Sequence, residues 1–186
     1  MSEQVSGVLS NLERVLLDSA QIQARVAELA QAIGRDFAGQ ELTVVVLLDG
    51  ALFFVADLVR QIDLPVRLYS LTVSSYHGGT VSSGRVEMEP QFPFDLKGRH
   101  VLLVDDILDT GLTLSSVIEK LKIAGPPATL RTAVLLSKKR VRDREVVADY
   151  VGFDIEDEFV VGYGMDYQAH YRNLPCIGVL NPHASR

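Results

Sequence analysis

Three carboxylates and a glycine flanked by threonines stand together in the middle of the chain. Asp105 and Asp106 follow an apolar run, Asp109 comes three residues later, and Thr-Gly-Leu-Thr occupies residues 110–113. Backbone N–H groups and threonine hydroxyls at a helix N-terminus form a site suited to a phosphate. Carboxylates instead accept hydrogen bonds from vicinal hydroxyls or bind a hydrated cation. The pattern predicts a sugar-phosphate site in which Asp109 protonates or deprotonates a second group.

The residues on either side of this turn predict a strand that leads into a helix. Residues 101–104 form a short apolar run, which is typical of a buried strand. From Leu114 onward the apolar positions recur with the spacing of a helix face. In an open parallel sheet, ligands bind at the carboxyl ends of the strands. The alternative is an acidic turn in which Asp109 only caps the following helix.

The rest of the chain predicts alternating strands and helices. Asp18 to Gln21 is a capping box that begins a helix ending at Gly39. Further elements are predicted as strands at residues 42–48, 66–73, 128–136 and 175–180, with a helix at 51–62. A strand, a helix and a strand joined by short links form the unit of a parallel α/β domain. The last strand, at 175–180, is predicted at a sheet edge.

Composition and charge restrict the class of protein. The chain of 186 residues is 47% apolar and 23% charged, which is usual for a globular protein. A net charge of −6 argues against nonspecific binding to nucleic acid or to an anionic membrane. Cys176 is the only cysteine, so neither an intramolecular disulfide nor a cysteine-based zinc cluster is possible. With no apolar run as long as a membrane span, we expect a cytoplasmic protein.

A stretch rich in glycine and serine covers residues 74–85. Long loops without regular structure are often functional in compact domains, so we interpret this one as a lid. The alternative is an ordinary hairpin loop between two strands.

These motifs resemble those of a known family. Residues 101–114 resemble the phosphoribosyl pyrophosphate signature of type I phosphoribosyltransferases, and residues 149–167 resemble the purine-binding region of the hypoxanthine-guanine members. The resemblance implies an α/β fold with a central, mainly parallel sheet flanked by helices, a small hood and a flexible lid loop. We expect a single domain over residues 1–186, with its core at about 40–165 and its hood formed by the N-terminal and C-terminal segments.

The resemblance also implies a reaction and a cofactor. The family transfers a 5-phosphoribosyl group from phosphoribosyl pyrophosphate to N9 of hypoxanthine or guanine, with Mg2+, in purine salvage. It implies that Asp105 and Asp106 bind the ribose diol directly or through Mg2+, and that Asp109 exchanges a proton with N7 of the purine. The residues expected at the 5′-phosphate are Thr110, Gly111, Leu112 and Thr113. A homodimer or homotetramer is also expected.

Further residues of the site follow from the same resemblance. Asp49 and Gly50 fall in the pyrophosphate-binding loop, where the family usually has a basic residue in place of Asp49. An acid there repels pyrophosphate unless its side chain turns away or engages a metal. Arg172 resembles the arginine that contacts pyrophosphate and supplies the positive charge that Asp49 does not. Ser75 and Tyr76 resemble the pair that closes over the active site, which protects a ribosyl cation from water.

The resemblance assigns purine contacts to the C-terminal half. Lys138 corresponds to the lysine that donates to the oxygen at position 6, which favours an oxo over an amino substituent. Phe159 stacks on the base, the backbone of Val160 reads its Watson–Crick edge, and Asp166 joins Asp105 and Asp106 as a metal ligand. Without the resemblance, the basic run that begins at Lys138 is a solvated turn, and Phe159 and Tyr163 are core residues.

Two other functions remain open at this point. One is a phosphoribosyltransferase-like regulator that senses nucleotides and binds RNA or DNA, which the basic run at residues 138–144 allows and the acidic pI of about 5.2 opposes. The other is a sibling enzyme with a different base. Lys138 argues against adenine and the purine segment argues against orotate, whereas xanthine stays open.

Overall fold

A parallel five-stranded sheet lies at the centre of the fold, in a computed structural model that describes residues 9–72 and 94–181. In chain order the elements are β1 (Leu12–Leu17), α1 (Ser19–Asp36), β2 (Leu42–Leu48), α2 (Leu52–Val59), β3 (Val66–Thr72), β4 (His100–Leu108), α3 (Leu112–Ala124), β5 (Thr129–Lys138), β6 (Tyr150–Ile155), β7 (Val160–Val161) and β8 (Ile177–Leu180). The central sheet has the order β3-β2-β4-β5-β6, and each neighbouring pair is parallel. This confirms the predicted α/β fold class.

The apolar strands are buried because helices cover both faces of the sheet. Val44 and Val46 of β2 pack in the cluster that contains the buried faces of α1 and α2. Val45 and Leu47 point to the opposite face, where they pack with α3. Successive side chains of a strand alternate between faces, so a strand covered on both sides must be apolar throughout. This explains the unbroken apolar run from Leu42 to Leu48.

A second, antiparallel sheet joins the two ends of the described chain. Its order is β1-β8-β7, and Val15 of β1 lies opposite Gly178 of β8. The predicted strand at 175–180 therefore exists, but its predicted place at a sheet edge is wrong, since β8 is the central strand. Its partner β1 lies about 160 residues earlier in the sequence, and local apolar pattern carries no information on such distant pairing.

The largest difference from the predicted elements concerns β4. The strand does not end at residue 104 but continues to Leu108, because Asp105 and Ile107 remain paired with Val134 and Leu136 of β5. Two of the three carboxylates thus belong to the strand itself. The segment that contains Ser75 and Tyr76 lies outside the described residues. Among the described helices none is both long and apolar enough to span a membrane.

The capping box at the start of α1 is confirmed. The Asp18 carboxylate accepts a hydrogen bond from the Gln21 amide at 2.8 Å, and the Gln21 side-chain oxygen accepts one from the Asp18 amide at 2.9 Å. Asp18→Ala removes the acceptor for the Gln21 amide and should lower the free energy of unfolding by about 1 kcal/mol. Urea denaturation measures the loss. The exposed Asp63, between α2 and β3, provides the control, and an equal loss in Asp63→Ala would contradict the capping role.

Candidate active site

A cavity of about 590 Å³ opens at the carboxyl ends of the central strands. The ends of β2, β3 and β4 contribute to it, together with the first turn of α3 and two residues of the C-terminal part, Asp166 and Arg172. Its acidic residues are Asp49, Asp105, Asp106, Asp109 and Asp166. The cavity therefore gathers most of the predicted phosphoribosyl- and pyrophosphate-binding residues, at the edge of the sheet where parallel α/β proteins bind ligands.

Asp105 and Asp106 form a largely buried pair of carboxyl groups, with Asp105 buried and Asp106 partly exposed to the cavity. The Asp106 amide donates to the Asp105 carboxylate at 3.0 Å. Burial, followed by the neighbouring Asp106 carboxyl, holds the pKa of Asp105 well above its usual range. Burial also raises the pKa of Asp106, although hydrogen bonds from Asp105 and the backbone offset part of the effect. Two desolvated carboxyl groups side by side favour a proton, a hydroxyl donor or a cation as their partner.

The turn between β4 and α3 has the backbone expected for a phosphate site. Gly111 occupies the cap position of α3 with φ of 82°, a left-handed conformation that a glycine adopts without strain. Asp109 is therefore not the cap, and the alternative that it only caps the helix is wrong. Thr110, Gly111 and Thr113 line the cavity, whereas Leu112 has an exposed side chain and its amide donates to Thr110 Oγ1 at 3.4 Å. The first turn of any α-helix presents N–H groups without intrahelical partners.

The loop after β5 packs directly on this turn. The amides of Asp143 and Arg144 donate to the Thr110 carbonyl at 3.0 and 3.3 Å. A Cβ on Gly111 would lie 2.7 Å from the Arg144 carbonyl oxygen, so this contact requires a glycine. The backbone at the end of the basic run therefore supports the turn, while the Arg144 side chain is exposed, as expected of a solvated turn.

Asp109 is held by two cations of the basic run. Its Oδ2 atom accepts from Lys138 Nζ at 3.0 Å, and its Oδ1 atom accepts from Arg140 Nη1 at 2.9 Å. Both cations also approach Asp157, Lys138 at 3.2 Å and Arg140 at 3.4 Å. Lys138 is only 11% exposed, so the interpretation of this position as a solvated turn is wrong. No motif in the sequence marks Arg140 or Asp157 as site residues, although each follows a strand that ends at this edge of the sheet.

The predicted pyrophosphate loop contacts the acid pair closely. Asp49 is exposed and lines the cavity, and the peptide bond that precedes it is cis. A Cβ on Gly50 would lie 2.0 Å from an Asp106 carboxylate oxygen, and a Cβ on Gly164 would lie 2.0 Å from the Gly50 carbonyl oxygen. Glycines at these two positions allow the loops after β2 and β7 to approach each other and the C-terminal part of β4.

Arg172 and Asp166 face the cavity as an ion pair. Arg172 Nη2 lies 2.9 Å from Asp166 Oδ1, and the second carboxylate oxygen accepts from the Ala169 amide at 2.8 Å. Arg172 also donates to the Gly164 carbonyl. Residues near this pair have a strained backbone, with positive φ at Tyr163, Gln168, Ala169 and Tyr171.

The predicted purine residues Lys138, Phe159 and Val160 are not part of the cavity lining. Phe159 is 54% exposed and meets Tyr167 edge to face, with ring centroids 5.8 Å apart, so it is not a core residue. Val160 is buried in β7. Tyr163 is a core residue whose hydroxyl donates to Asp57 at 2.6 Å. Lys138 adjoins the cavity through Asp109.

Comparison with known proteins agrees with this geometry. The phosphoribosyl transferase domain model matches residues 15–168, so the chain belongs to the phosphoribosyltransferase family. It is 46% identical over 178 residues to the hypoxanthine-guanine phosphoribosyltransferase of Mycobacterium avium, which covers 92% of this chain and 87% of that protein. It is 43% identical over 171 residues to the enzyme of the same name from Streptococcus pneumoniae, covering 92% and 94%.

Solved structures show the same likeness. A hypoxanthine phosphoribosyltransferase from Staphylococcus aureus superimposes with a TM-score of 0.87 at 39% identity, covering 97% of both chains. A hypoxanthine-guanine-xanthine phosphoribosyltransferase superimposes with a TM-score of 0.81 at 32% identity, covering 95% of this chain and 99% of that one.

The buried acid pair gives a prediction for stability against pH. Because the pKa of Asp105 is raised by folding, the native state keeps a proton that the unfolded state releases above its ordinary pKa of about 4. In chelator and without ligand, the free energy of unfolding should therefore fall as the pH rises from about 4 through the raised pKa. Asp105→Asn should reduce this slope and increase stability at pH 7, as measured by urea denaturation across pH. Asp63→Asn is the exposed control, and an unchanged slope in Asp105→Asn would refute the assignment.

Proposed function

We propose that this protein transfers the 5-phosphoribosyl group of phosphoribosyl pyrophosphate to N9 of hypoxanthine or guanine. The products are IMP or GMP and pyrophosphate, as in purine salvage. One observation carries the proposal: a single cavity joins a buried acid pair, a helix N-terminus with two threonines, and an aspartate held by a lysine. The names of the similar proteins support the choice of substrates.

The cavity has separate groups for the two ends of the sugar. Asp105 and Asp106 accept hydrogen bonds from the ribose hydroxyls, which supply the partners that these desolvated carboxylates lack. The first turn of α3 and the hydroxyls of Thr110 and Thr113 donate to the 5′-phosphate, and Gly111 lets the backbone approach it. The acidic lining also stabilises the positive charge that develops on the ribose, because the expected transition state resembles an oxocarbenium ion.

The opposite side of the cavity receives the leaving group. Arg172 donates to pyrophosphate, and the backbone at Gly50 supplies N–H groups from the turn between β2 and α2. Asp49 adds a negative charge beside the leaving group, and its repulsion has to be offset by a cation.

The donor set of the cavity fits Mg2+. Its side chains that carry charge are carboxylates, apart from Arg172, and Mg2+ prefers oxygen ligands. Within residues 9–72 and 94–181, no three acidic, histidine or cysteine side chains are grouped closely enough to hold a metal by themselves. That suits Mg2+, which usually binds through one or two carboxylates together with waters and substrate phosphates. The proposed ligands are drawn from Asp105, Asp106 and Asp166, with one or two carboxylates to an ion and substrate oxygens and waters as its other ligands. When bound, the ion would neutralise charge on pyrophosphate.

The purine is proposed to bind next to Asp109. Phe159 stacks on the base with its exposed ring, while the backbone of Val160 reads the Watson–Crick edge. Lys138 donates to the oxygen at position 6, and an amino substituent there offers no acceptor. Asp109 then exchanges a proton with N7 while N9 attacks the ribose.

The regulator that binds RNA or DNA fits the structure less well. Lys138, Lys139 and Arg140 are all paired with acidic residues, so the first three cations of the basic run are compensated by acids and the positive face available to a nucleic acid is reduced. We also propose a cytoplasmic location, in keeping with a single cysteine and no intramolecular disulfide.

We further propose a homodimer or homotetramer. The apolar side chains of Leu52, Phe53 and Leu68 are exposed on α2 and β3, which suits contact between copies. Light scattering after gel filtration measures the mass of the assembly.

The proposed reaction is tested by supplying the protein with Mg2+, phosphoribosyl pyrophosphate and one purine at a time. Hypoxanthine and guanine should give mononucleotide, and adenine should not. More efficient use of xanthine would move the assignment to the sibling enzyme. No product with any purine would overturn the proposal, and salt-dependent RNA binding would then favour the regulator.

Asp109→Asn keeps the size of the side chain but removes proton transfer. The turnover number should fall by roughly 100-fold or more, with a smaller effect on nucleotide binding. Steady-state kinetics and nucleotide titration separate the two effects. Wild-type turnover in this variant would refute the proposed role.

Lys138→Ala removes the cation that selects an oxo group. The free energy of transition-state binding for guanine and hypoxanthine should weaken by roughly 1–3 kcal/mol, the size of one charged hydrogen bond. The ratio of kcat/KM values measures it. Lys139→Ala, one residue away and paired with Glu156, should behave as wild type. Equal effects in the two variants would show that Lys138 has no particular role.

A further inference from the structure

Four charged side chains form a closed ring next to the cavity. Asp109 and Asp157 are its acids, and Lys138 and Arg140 are its cations. Each cation approaches both acids: Lys138 at 3.0 and 3.2 Å, Arg140 at 2.9 and 3.4 Å. We call this set the ion-pair ring. Its formal charges sum to zero, so each charge is compensated by two of the opposite sign.

The ring connects the ends of three adjacent strands. Asp109 follows β4, Lys138 ends β5, Arg140 lies in the loop after it, and Asp157 follows β6. Lys138 is the most buried member, while the side chains of the others are between a third and a half exposed. The sheet therefore fixes where the ring forms, and the long side chains of the cations complete it.

The ring creates a problem for the proposed reaction. Lys138 has to donate to the oxygen at position 6, and Asp109 has to reach N7 of the same base. In this structure the two are instead bound to each other, Nζ to Oδ2. A bound purine must separate them, and a charge that loses its partner in a partly buried site is costly.

We propose that Arg140 and Asp157 are positioning residues that make this separation possible. The Lys138 ammonium has three donors, so it can keep its contact with Asp157 while it donates to the purine. Arg140 binds Asp109 through Oδ1, the oxygen that Lys138 does not use, and so stays in place when Oδ2 turns to N7. When the purine separates Lys138 from Asp109, Lys138 therefore retains Asp157 as its partner, and Asp109 retains Arg140. This inference rests on the proposed function.

A neighbouring ion pair provides a matched control. Lys139 and Glu156 are bound at 2.9 Å, in two of the three segments that form the ring. Both side chains are exposed, and neither contacts Asp109 or Lys138 in the described structure. A change to this pair alters surface charge near the site but leaves the ring complete.

The test compares Asp157→Asn, Arg140→Gln and Lys139→Gln by steady-state kinetics with guanine, hypoxanthine and phosphoribosyl pyrophosphate. Asp157→Asn should raise KM for the purine roughly tenfold, as expected for one charge-assisted hydrogen bond at a partly exposed site, and leave KM for phosphoribosyl pyrophosphate within about twofold. Arg140→Gln should lower kcat roughly tenfold, because Asp109 loses the cation that fixes its orientation. Lys139→Gln should match wild type.

The charge-retaining variants Arg140→Lys and Asp157→Glu should recover most of these losses, and they also serve if a neutral variant fails to fold. Unchanged constants in both neutral variants, or parallel changes in KM for both substrates, would overturn the roles of Arg140 and Asp157 alone. A wild-type protein that forms no mononucleotide would instead overturn the proposed function. An inactive wild-type protein therefore refutes the proposed function, whereas an active wild-type protein with unaffected variants refutes only the positioning roles.

Discussion

The desolvation of Asp105 and Asp106 at the end of β4 is the constraint on which the rest of the site depends. β4 pairs with β2 as far as Val104 and with β5 on to Leu108, so the sheet holds the two carboxyl groups in place, and burial limits their contact with water. Glycines at the facing loops bring backbone groups into contact with them instead. Such a pair contributes little to the stability of the fold. Its role is to bind a ligand that supplies hydroxyl donors or a cation.

Two electrostatic arrangements meet at this edge of the sheet. The cavity itself is strongly acidic, and Arg172 within it is already bound to Asp166. The ion-pair ring beside it is neutral and includes Asp109 as a shared member. The first arrangement suits a sugar that becomes positively charged, and the second suits a neutral base that exchanges a proton. Parallel strands allow both because their carboxyl ends open on one side.

The fold was largely predictable, and the site was predictable in part. Strands were predictable at Val44 to Leu47 and at residues 101–104, because a sheet covered by helices on both faces requires continuous apolar sequence. The end of β4 was misplaced, since the backbone pairing of Asp105 and Ile107 with β5 outweighs the low strand preference of aspartate. Arg140 and Asp157 were not predicted as site residues, because the local sequence around a charged loop residue does not indicate which residue it pairs with.

By itself, the sequence determined the alternation of strands and helices, the helix cap at Asp18 and the turn at Gly111, which all depend on neighbouring residues. It also indicated candidate side chains for the chemistry, and a resemblance in two motifs indicated what that chemistry is. Tertiary structure decided the central place of β8, the burial of the acid pair and the contacts of Lys138 with two acids. Those features join residues far apart in the chain, and only the packing of strands and loops brings them within contact distance.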